Sequence, residues 1–429
     1  MAEKEIRLAV GGDSSVLKKI HKLPRHLRSK EDSDVYDPKV VSIGPYHHGK
    51  PQLQLVQGMK RKVLDHFISI SKQDYEFYFK KMLEVVHMAR SCYILMDDEE
   101  FDDDQFAEMM LLDGCFLLNY CLVTTDYGDD VATNKALEYC SPLDIITLVD
   151  AAAGWLFIER DTLLLDNQIP LWIIELLFNA TYGNANPLHT WKQLLSMTSQ
   201  AAVWGEIVYE NVDELEKHIM LQHHDGAPLH LLEFYHMLMM VSRPSSSSSS
   251  EAAAAIGSTP KMSTKEFSDE GIKFNSNLLR AEVKLPVFDA NAFTRVYFQN
   301  MIAYELCNYR RTQFVVGSYI NFMKSLIVSP QDVKELREKC IIRSALGEDK
   351  EVVKLFHGLN THGLENPIIF RDVKHKILNY YNSKTKTWMA ELTHTYFRTP
   401  WTAIAFFAAT SLLVLTFLQT YFTINPRGH

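Results

Sequence analysis

Residues 401–422 read WTAIAFFAATSLLVLTFLQTYF, from Trp401 to Phe422, with no charged residue among the twenty-two. At ~1.5 Å per residue such a helix spans roughly 33 Å, enough to cross a hydrocarbon core of about 30 Å. Its polar members are mostly hydroxyls (Thr402, Thr410, Ser411, Thr416, Thr420), which can bond back to their own helix. Gln419 is the costly one, and it sits near the far interface. Tyr396 and Phe397 precede Trp401, and Tyr421 and Phe422 close the stretch, so aromatic residues mark both ends. The stretch predicts a membrane anchor over residues 399–422, followed by a short tail, 423–429.

The flanks predict its direction. Lys384, Lys386 and Arg398 precede the span and Arg427 follows it, so the positive-inside rule places the preceding residues in the cytosol. The opening MAEKEIRLAVGGDSS mixes charges and has no apolar run of signal-peptide length, so anchoring by the C-terminal helix alone is expected. The membrane is then the plasma membrane or an endomembrane.

The preceding residues have the composition of an ordinary globular body. Over the whole chain 47% of residues are hydrophobic and 23% charged. Only 18 of 429 residues are glycine, and Leu, Met, Ala, Glu and Lys fill stretches of helical period, which favours helix over sheet. A formal charge of −9 argues against nucleic acid, and equally against adhesion of the body to anionic lipid. The six cysteines (Cys92, Cys115, Cys121, Cys140, Cys307, Cys340) form no CxxC pair and sit in apolar pattern, as reduced buried thiols do.

Along the chain, residues 1–34 form a polar segment with a short helix expected around Val16–Leu27. A body over 35–398 follows. Its early strand signal is Val40–Ile43, ending at Gly44-Pro45. Helices are expected at Gln57–Ile70, Tyr75–Leu95 and, apolar nearly all round, Gln105–Val123. The acidic run Asp97–Asp104 lacks the glycine and ligand spacing of a calcium loop and reads as a solvated loop feeding charge to a helix N-terminus. In Thr162–Phe178, Pro170 breaks the pattern and opens a new helix near its first position. A low-complexity Ser/Ala-rich insertion occupies about 243–264, and Gly271–Val287 reads as a hairpin-like strand pair. Helices at Ala292–Cys307, Val316–Ile327, Asp332–Lys339, Asp349–Leu359 and Arg371–Tyr396 complete the set. Ser329 is the expected N-cap of the third of these, with Pro330 and Asp332 in its first turn.

Candidate chemistry is thin. Gly44-Pro45-Tyr46-His47-His48-Gly49-Lys50 has the GxxxxGK spacing of a phosphate loop, but Pro51 replaces the magnesium-binding hydroxyl and Pro45 lacks an N–H. His47 and His48 are adjacent on an extended segment and point apart, as do His223 and His224, so no metal is expected. No HExxH, GxSxG or GxGxxG occurs, and no cofactor is implied.

The same residues carry a resemblance. Val41–Lys50 (VSIGPYHHGK) resembles the VSIGPYHHG signature of the plant "domain of unknown function 247" family. Further matches follow in the family's order: Met110–Phe116 (MLLDGCF), Asp161–Pro170 (DTLLLDNQIP, with Asp166 where Glu is usual), Pro228–Leu232 (PLHLL, containing His230) and Glu270–Phe274. Tyr319–Ile327 with Asp332-Val333, and Tyr396–Trp401, complete them. The resemblance implies a land-plant source, a largely helical body and a single C-terminal transmembrane helix, with no established activity, cofactor or catalytic residue. Some grass members resemble pollen-side determinants of self-incompatibility.

The expected fold is therefore mainly α: a large helical body with a few short strands, then one transmembrane helix. The motif residues Gly44, Pro45, Tyr46, His47, His48, Asp113, Gly114, Asn167, Gln168, Pro170 and His230 are expected to be structural. The amides of Asn167 and Gln168 would lock the junction before Pro170, and Asp113-Gly114 would mark a close helix crossing with a buried carboxylate that needs a partner. The function expected is that of a non-enzymatic, membrane-anchored interaction protein of signalling or recognition, with an unidentified protein partner. The alternative is an enzyme with a pocket near GPYHHG and DNQIP. Convergence of these side chains on a pocket would favour the enzyme, and scatter through packed junctions the interaction protein. Asn179-Ala180-Thr181, following a helix expected to end at Phe178, is the one glycosylation sequon and should stay unmodified in a cytosolic body.

Overall fold

The computed structural model describes residues 18–28, 33–94, 101–124, 151–183, 228–241, 274–275, 283–284, 288–339, 341–371, 374 and 400–424. The Ser/Ala-rich insertion and nearly all of the helix expected at Arg371–Tyr396 lie outside them.

Helices dominate, as the period demands. In chain order they are α1 (Ser33–Tyr36), α2 (Gln54–Ser71), α3 (Tyr75–Ser91), α4 (Asp103–Thr124), α5 (Ala151–Thr162), α6 (Leu171–Tyr182) and α7 (Leu231–Val241). Then come α8 (Thr294–Cys307), α9 (Val315–Leu326), α10 (Pro330–Glu338), α11 (Asp349–Gly358) and α12 (Pro400–Ile424). α4 lies at the centre, against α2, α3 and α6, and buries residues on every side from Phe106 to Cys121. A second group, α7 to α11, joins it through one continuous apolar core.

The sequence specifies several helix ends chemically. Asp74 accepts the Phe77 N–H at 2.9 Å and starts α3. In the acidic run, Asp102 accepts the Gln105 N–H at 2.8 Å while Gln105 accepts the Asp102 N–H at 3.2 Å, a reciprocal cap that opens α4. Ser329 is the N-cap of α10 with Pro330 at its start, and the Asp332 carboxylate accepts the Ser329 N–H at 2.7 Å. Gly114 permits the α4–α6 crossing: a β-carbon there would lie 2.5 Å from Leu177 Cδ1 and 3.1 Å from Ile173 Cγ2.

Other expectations are corrected. No helix forms over the described part of Val16–Leu27, where a single 3-10 turn, Arg25–Leu27, follows Pro24. Upstream, Ile20 donates to the Cys92 carbonyl and accepts from the Ile94 N–H instead, and Ile20, Leu23 and Leu27 join the core. Val40–Ile43 forms no strand. α3 ends at Ser91, before Leu95, and Pro170 is the N-cap of α6, one position before the expected N1. α6 runs through Asn179 to Tyr182, so the sequon lies inside a helix. The hairpin expected within Gly271–Val287 is a parallel pair, β1 (Phe274–Asn275) with β2 (Val283–Lys284). β3 (Phe288–Ala290) pairs in parallel with β4 (Ile342–Ser344).

α12 differs from every other helix. It is 25 residues long, and within it Ile404–Tyr421 has a mean hydropathy of 1.7 with none of that stretch buried. Thr410, Thr416 and Thr420 donate to the carbonyls of Phe406, Leu412 and Thr416 at 2.8–2.9 Å, so their hydroxyls are satisfied within the helix. A core helix hides its apolar side chains; this one exposes Leu413 and Phe417 at 73% and 72%. It is long and apolar enough to cross a membrane.

Candidate functional site

The motif residues meet. The segment from Asp37 to Lys50 lies across the C-terminal end of α5, the α5–α6 junction and the middle of α4. Its backbone donors are taken by side chains, which explains why no strand forms. One oxygen of Asp161 accepts the N–H groups of Lys39, Val40 and Val41 at 2.9, 2.7 and 3.0 Å. Asn167 Oδ1 accepts the Ile43 N–H at 2.7 Å, and its Nδ2 donates to the carbonyls of Val41 at 3.1 Å and Asp161 at 2.8 Å. Asp113 accepts the Gly44 N–H at 2.7 Å. A row of buried carboxylate and amide oxygens thus replaces the neighbouring strand.

Each anion has its own cation or donor set. Lys60 Nζ lies 2.5 Å from Asp113 Oδ1 and donates to the Ser42 carbonyl at 2.5 Å, with both side chains of the pair almost wholly buried. Arg160 pairs with Asp161 and reaches the carbonyls of Asp34 and Asp37. Burial pushes the Asp161 carboxyl up, opposed by its backbone donors and by Arg160. His47 Nε2 lies 2.8 Å from Asp166 Oδ1, and Lys50 Nζ lies 2.7 Å from His47 Nδ1. With Lys50 charged, Nδ1 is the acceptor and Nε2–H donates to Asp166. The Tyr46 hydroxyl lies 2.6 Å from the Ile94 carbonyl and 3.0 Å from that of Ile20, and burial holds its pKa well above the phenol range.

Gly44 and Pro45 shape the turn. Gly44 has φ +77°, and Pro45 begins a 3-10 turn through His47. The GxxxxGK spacing offers nothing to a phosphate, since the Gly44 N–H is bonded to Asp113 and Lys50 to His47. His47 is buried, whereas His48 is half-buried at the edge, with its ring edge-on to Phe101. Burial also lowers the His48 pKa. Among the described residues no three His, Cys, Asp or Glu side chains are gathered as a metal ion requires.

Gln168 ties this cluster to the next motif. Its Nε2 donates to the carbonyls of Thr162 and Leu164 at 2.7 Å each, and its Oε1 accepts the Leu232 N–H at 3.3 Å. The amides therefore bond other segments and not the α6 N-terminus, whose Leu171 N–H goes to the Leu229 carbonyl at 2.8 Å. His230 stands before α7 and accepts the Glu233 N–H through Nδ1 at 3.3 Å. Glu233 in turn accepts the Leu229 N–H at 2.5 Å and pairs with Lys18 at 3.0 Å. This is a capping-box variant with histidine in the cap, in which Glu233 takes the N–H of Leu229, one residue before His230.

Burial pushes the His230 imidazole down to about 4, against the pull of Glu233. The unfolded chain, near 6.5, therefore takes the proton first, so this stability is present above about pH 6.5 and lost as pH falls toward 4. Glu159, pushed up to about 7 by burial, works in the opposite direction over much of the same range. The comparison that isolates His230 is with His230→Asn, whose amide caps without titrating. Chemical denaturation in detergent should show wild type losing about 2 kcal/mol relative to that variant between pH 7 and 4.5. A gap that does not change with pH would show that His230 is protonated in the folded chain.

The motif side chains thus converge on backbone groups. The cavity beside Asn167, Gln168 and Ile43 has a volume of about 10 Å³, room for roughly one water. Sequence reasoning did not single out Lys60, Arg160 or Asn300, which donates to the Val35 carbonyl and accepts the Leu165 N–H. One signal was legible: Lys60 falls on the apolar stripe Val56, Met59, Val63, Leu64, Phe67 of α2, where a solvated lysine does not belong. The described cysteines form no disulfide. Cys92, Cys115 and Cys121 are buried, and burial raises their thiols, Cys92 to about 11.

Comparison with known proteins places these features in a group. The UPF0481 protein At3g47200 of Arabidopsis thaliana is 26% identical over 424 residues, 90% of this chain and 82% of the relative. The putative UPF0481 protein At3g02645 of the same plant is 29% identical over 151 residues, 35% of this chain and 28% of the relative. No solved structure matches the chain. The model of a family described as "Plant protein of unknown function" matches residues 20–415, a range that holds all the motifs of the resemblance from Val41 to Trp401, and the chain belongs to that family, DUF247.

Proposed function

We propose that this chain is a membrane-anchored plant protein that acts by protein–protein contact in signalling or recognition, with residues 35–398 as one cytosolic body. The observation that carries the reading is α12, an apolar helix whose side chains find no cover on the body. The motif side chains serve the fold: Asp113, Asn167, Gln168 and Asp161 spend their polar atoms on backbone groups of distant segments. The exterior of the body is then the surface that meets a partner, and some grass members of the family resemble self-incompatibility determinants. The three-to-one excess of basic residues before the span and cysteine usage without pairing signals favour the cytosolic side.

Deleting Thr399–His429 should move the chain from the membrane pellet to the supernatant under a high-salt wash. Recovery of the truncated chain in the pellet would reject the anchor. In sealed microsomes, added protease should digest the body to a small anchor fragment, and a shielded body would reverse the orientation. Glycan at Asn179 is a poor reporter, because Thr181 of its sequon lies in α6 with its hydroxyl 2.9 Å from that of Tyr78.

A further inference from the structure

The body as a whole is acidic, yet one surface of it is basic. Lys18–Lys30 (KKIHKLPRHLRSK) contains six lysines and arginines and no carboxylate, in a chain of net charge −9. Its described part, residues 18–28, is not a loose tail. Ile20, Leu23 and Leu27 are buried, and Ile20 bonds the backbone on either side of Tyr93. The Leu23 N–H reaches Asp166 at 3.3 Å. These attachments hold Lys22, Arg25, His26 and Arg28 exposed on the outer side. The strap's His21 bonds Asn308, which brings up the turn after α8 with Tyr309 and Arg310, both exposed.

We propose that this basic face docks the body on the anionic cytosolic leaflet of the membrane that α12 spans. The surface has the composition of an interfacial one, with cations in a fixed array and an exposed tyrosine among them. Among the described residues the carboxylates that reach the strap are already engaged, and the acidic run from Asp97 to Asp104 begins three residues after Ile94, which bonds Ile20. Asp37 is engaged by Arg28 at 2.9 Å and lies 3.7 Å from Lys50, Asp34 pairs with Lys39, and Asp166 is buried against His47. Glu31 and Asp32 follow in the sequence. Among the described residues neither Lys22 nor Arg25 has an ion-pair partner. A basic group at an anionic leaflet strengthens attachment roughly fivefold, and a tether makes each such contact intramolecular. Tethering is why lipid, and not an acidic protein segment, is the occupant proposed. Net charge argues against adhesion of the body as a whole to anionic lipid, but a Debye length of about 8 Å lets a surface feel its nearest charges and not the sum.

The inference rests on the anchored, cytosolic reading, and its test separates the two. Full-length chain is reconstituted with the body outward, either in neutral phosphatidylcholine vesicles or in vesicles containing about one-third phosphatidylserine. Lys22 is then labelled by an uncharged amine-reactive ester and followed by mass spectrometry. Labelling should slow at least fivefold on the anionic vesicles, recover in high salt, and stay fast in the double variant Arg25→Glu, Arg310→Glu. Equal rates on both vesicles, or a slowing that survives charge reversal, would overturn the proposal and leave an acidic protein as the candidate occupant. An alkaline carbonate wash after labelling reports insertion separately: a chain stripped by it removes the anchor reading, while the labelling ratio still decides the basic face.

Discussion

Replacing Lys60 by methionine should destabilise the body by about 3–5 kcal/mol, the cost of leaving a buried carboxylate without its cation. The Lys60 and Asp113 side chains are 0% and 1% exposed and 2.5 Å apart. Methionine preserves most of the volume, so packing contributes little and electrostatics decides. Without Nζ, Asp113 retains the Gly44 N–H alone and the Ser42 carbonyl loses its donor. Against a total stability of 5–15 kcal/mol for a typical domain, that loss is a large fraction. Adding Asp113→Asn should recover part of it, since the amide stays neutral and still accepts from Gly44. The next residue supplies the control. Arg61 pairs with Glu108 at 2.7 Å, but both are well exposed, so Arg61→Met should cost under ~1 kcal/mol. Urea denaturation of the three variants measures this, and a Lys60→Met chain as stable as Arg61→Met would mean that the pair is not buried.

Lys60 also shows what was legible beforehand. Period and capping chemistry are local, and they placed α2, α4, α8, α9, α10 and α11 to within a few residues. The failures share a cause, which is that a distant partner changed the local choice. Val40, Val41 and Ile43 are apolar and β-branched, but their donors go to Asp161 and Asn167, more than a hundred residues on. Ile20 exchanges helix for the backbone at Cys92 and Ile94. The motif residues were recognised as a set, yet nothing in their spacing revealed that Asp113 and Asn167 serve adjacent backbone donors of one segment. Expecting either scatter or a pocket missed the arrangement found, which is convergence on backbone. The cap formed by His230 was likewise hidden, because histidine is not among the usual capping residues.

Gly44→Ala should be comparably severe, for a steric reason. Gly44 has φ +77° and ψ −175°, a region open essentially to glycine alone, where another residue costs of order 1–3 kcal/mol. Space adds to this. A β-carbon there would sit 2.4 Å from the Gln168 carbonyl oxygen and 3.2 Å from the Tyr93 hydroxyl. The carbonyl is backbone and accepts from Tyr93 at 3.0 Å, while the Gln168 side chain is fixed by Thr162, Leu164 and Leu232, so the junction has little room to yield. Relief would require moving the Gly44 N–H away from Asp113, which reopens the buried charge. Together these terms predict a loss of about 3–5 kcal/mol. Gly49 separates strain from contact, since it has φ +75° in the same turn with nothing within 4 Å of its added β-carbon. Gly49→Ala should therefore show the backbone cost alone, about 1–2 kcal/mol. Equal losses for the two alanines, measured by denaturation in the same detergent, would mean that Gly44 does not press against Gln168 and that the GPYHHG turn is free of the junction it is argued to lock.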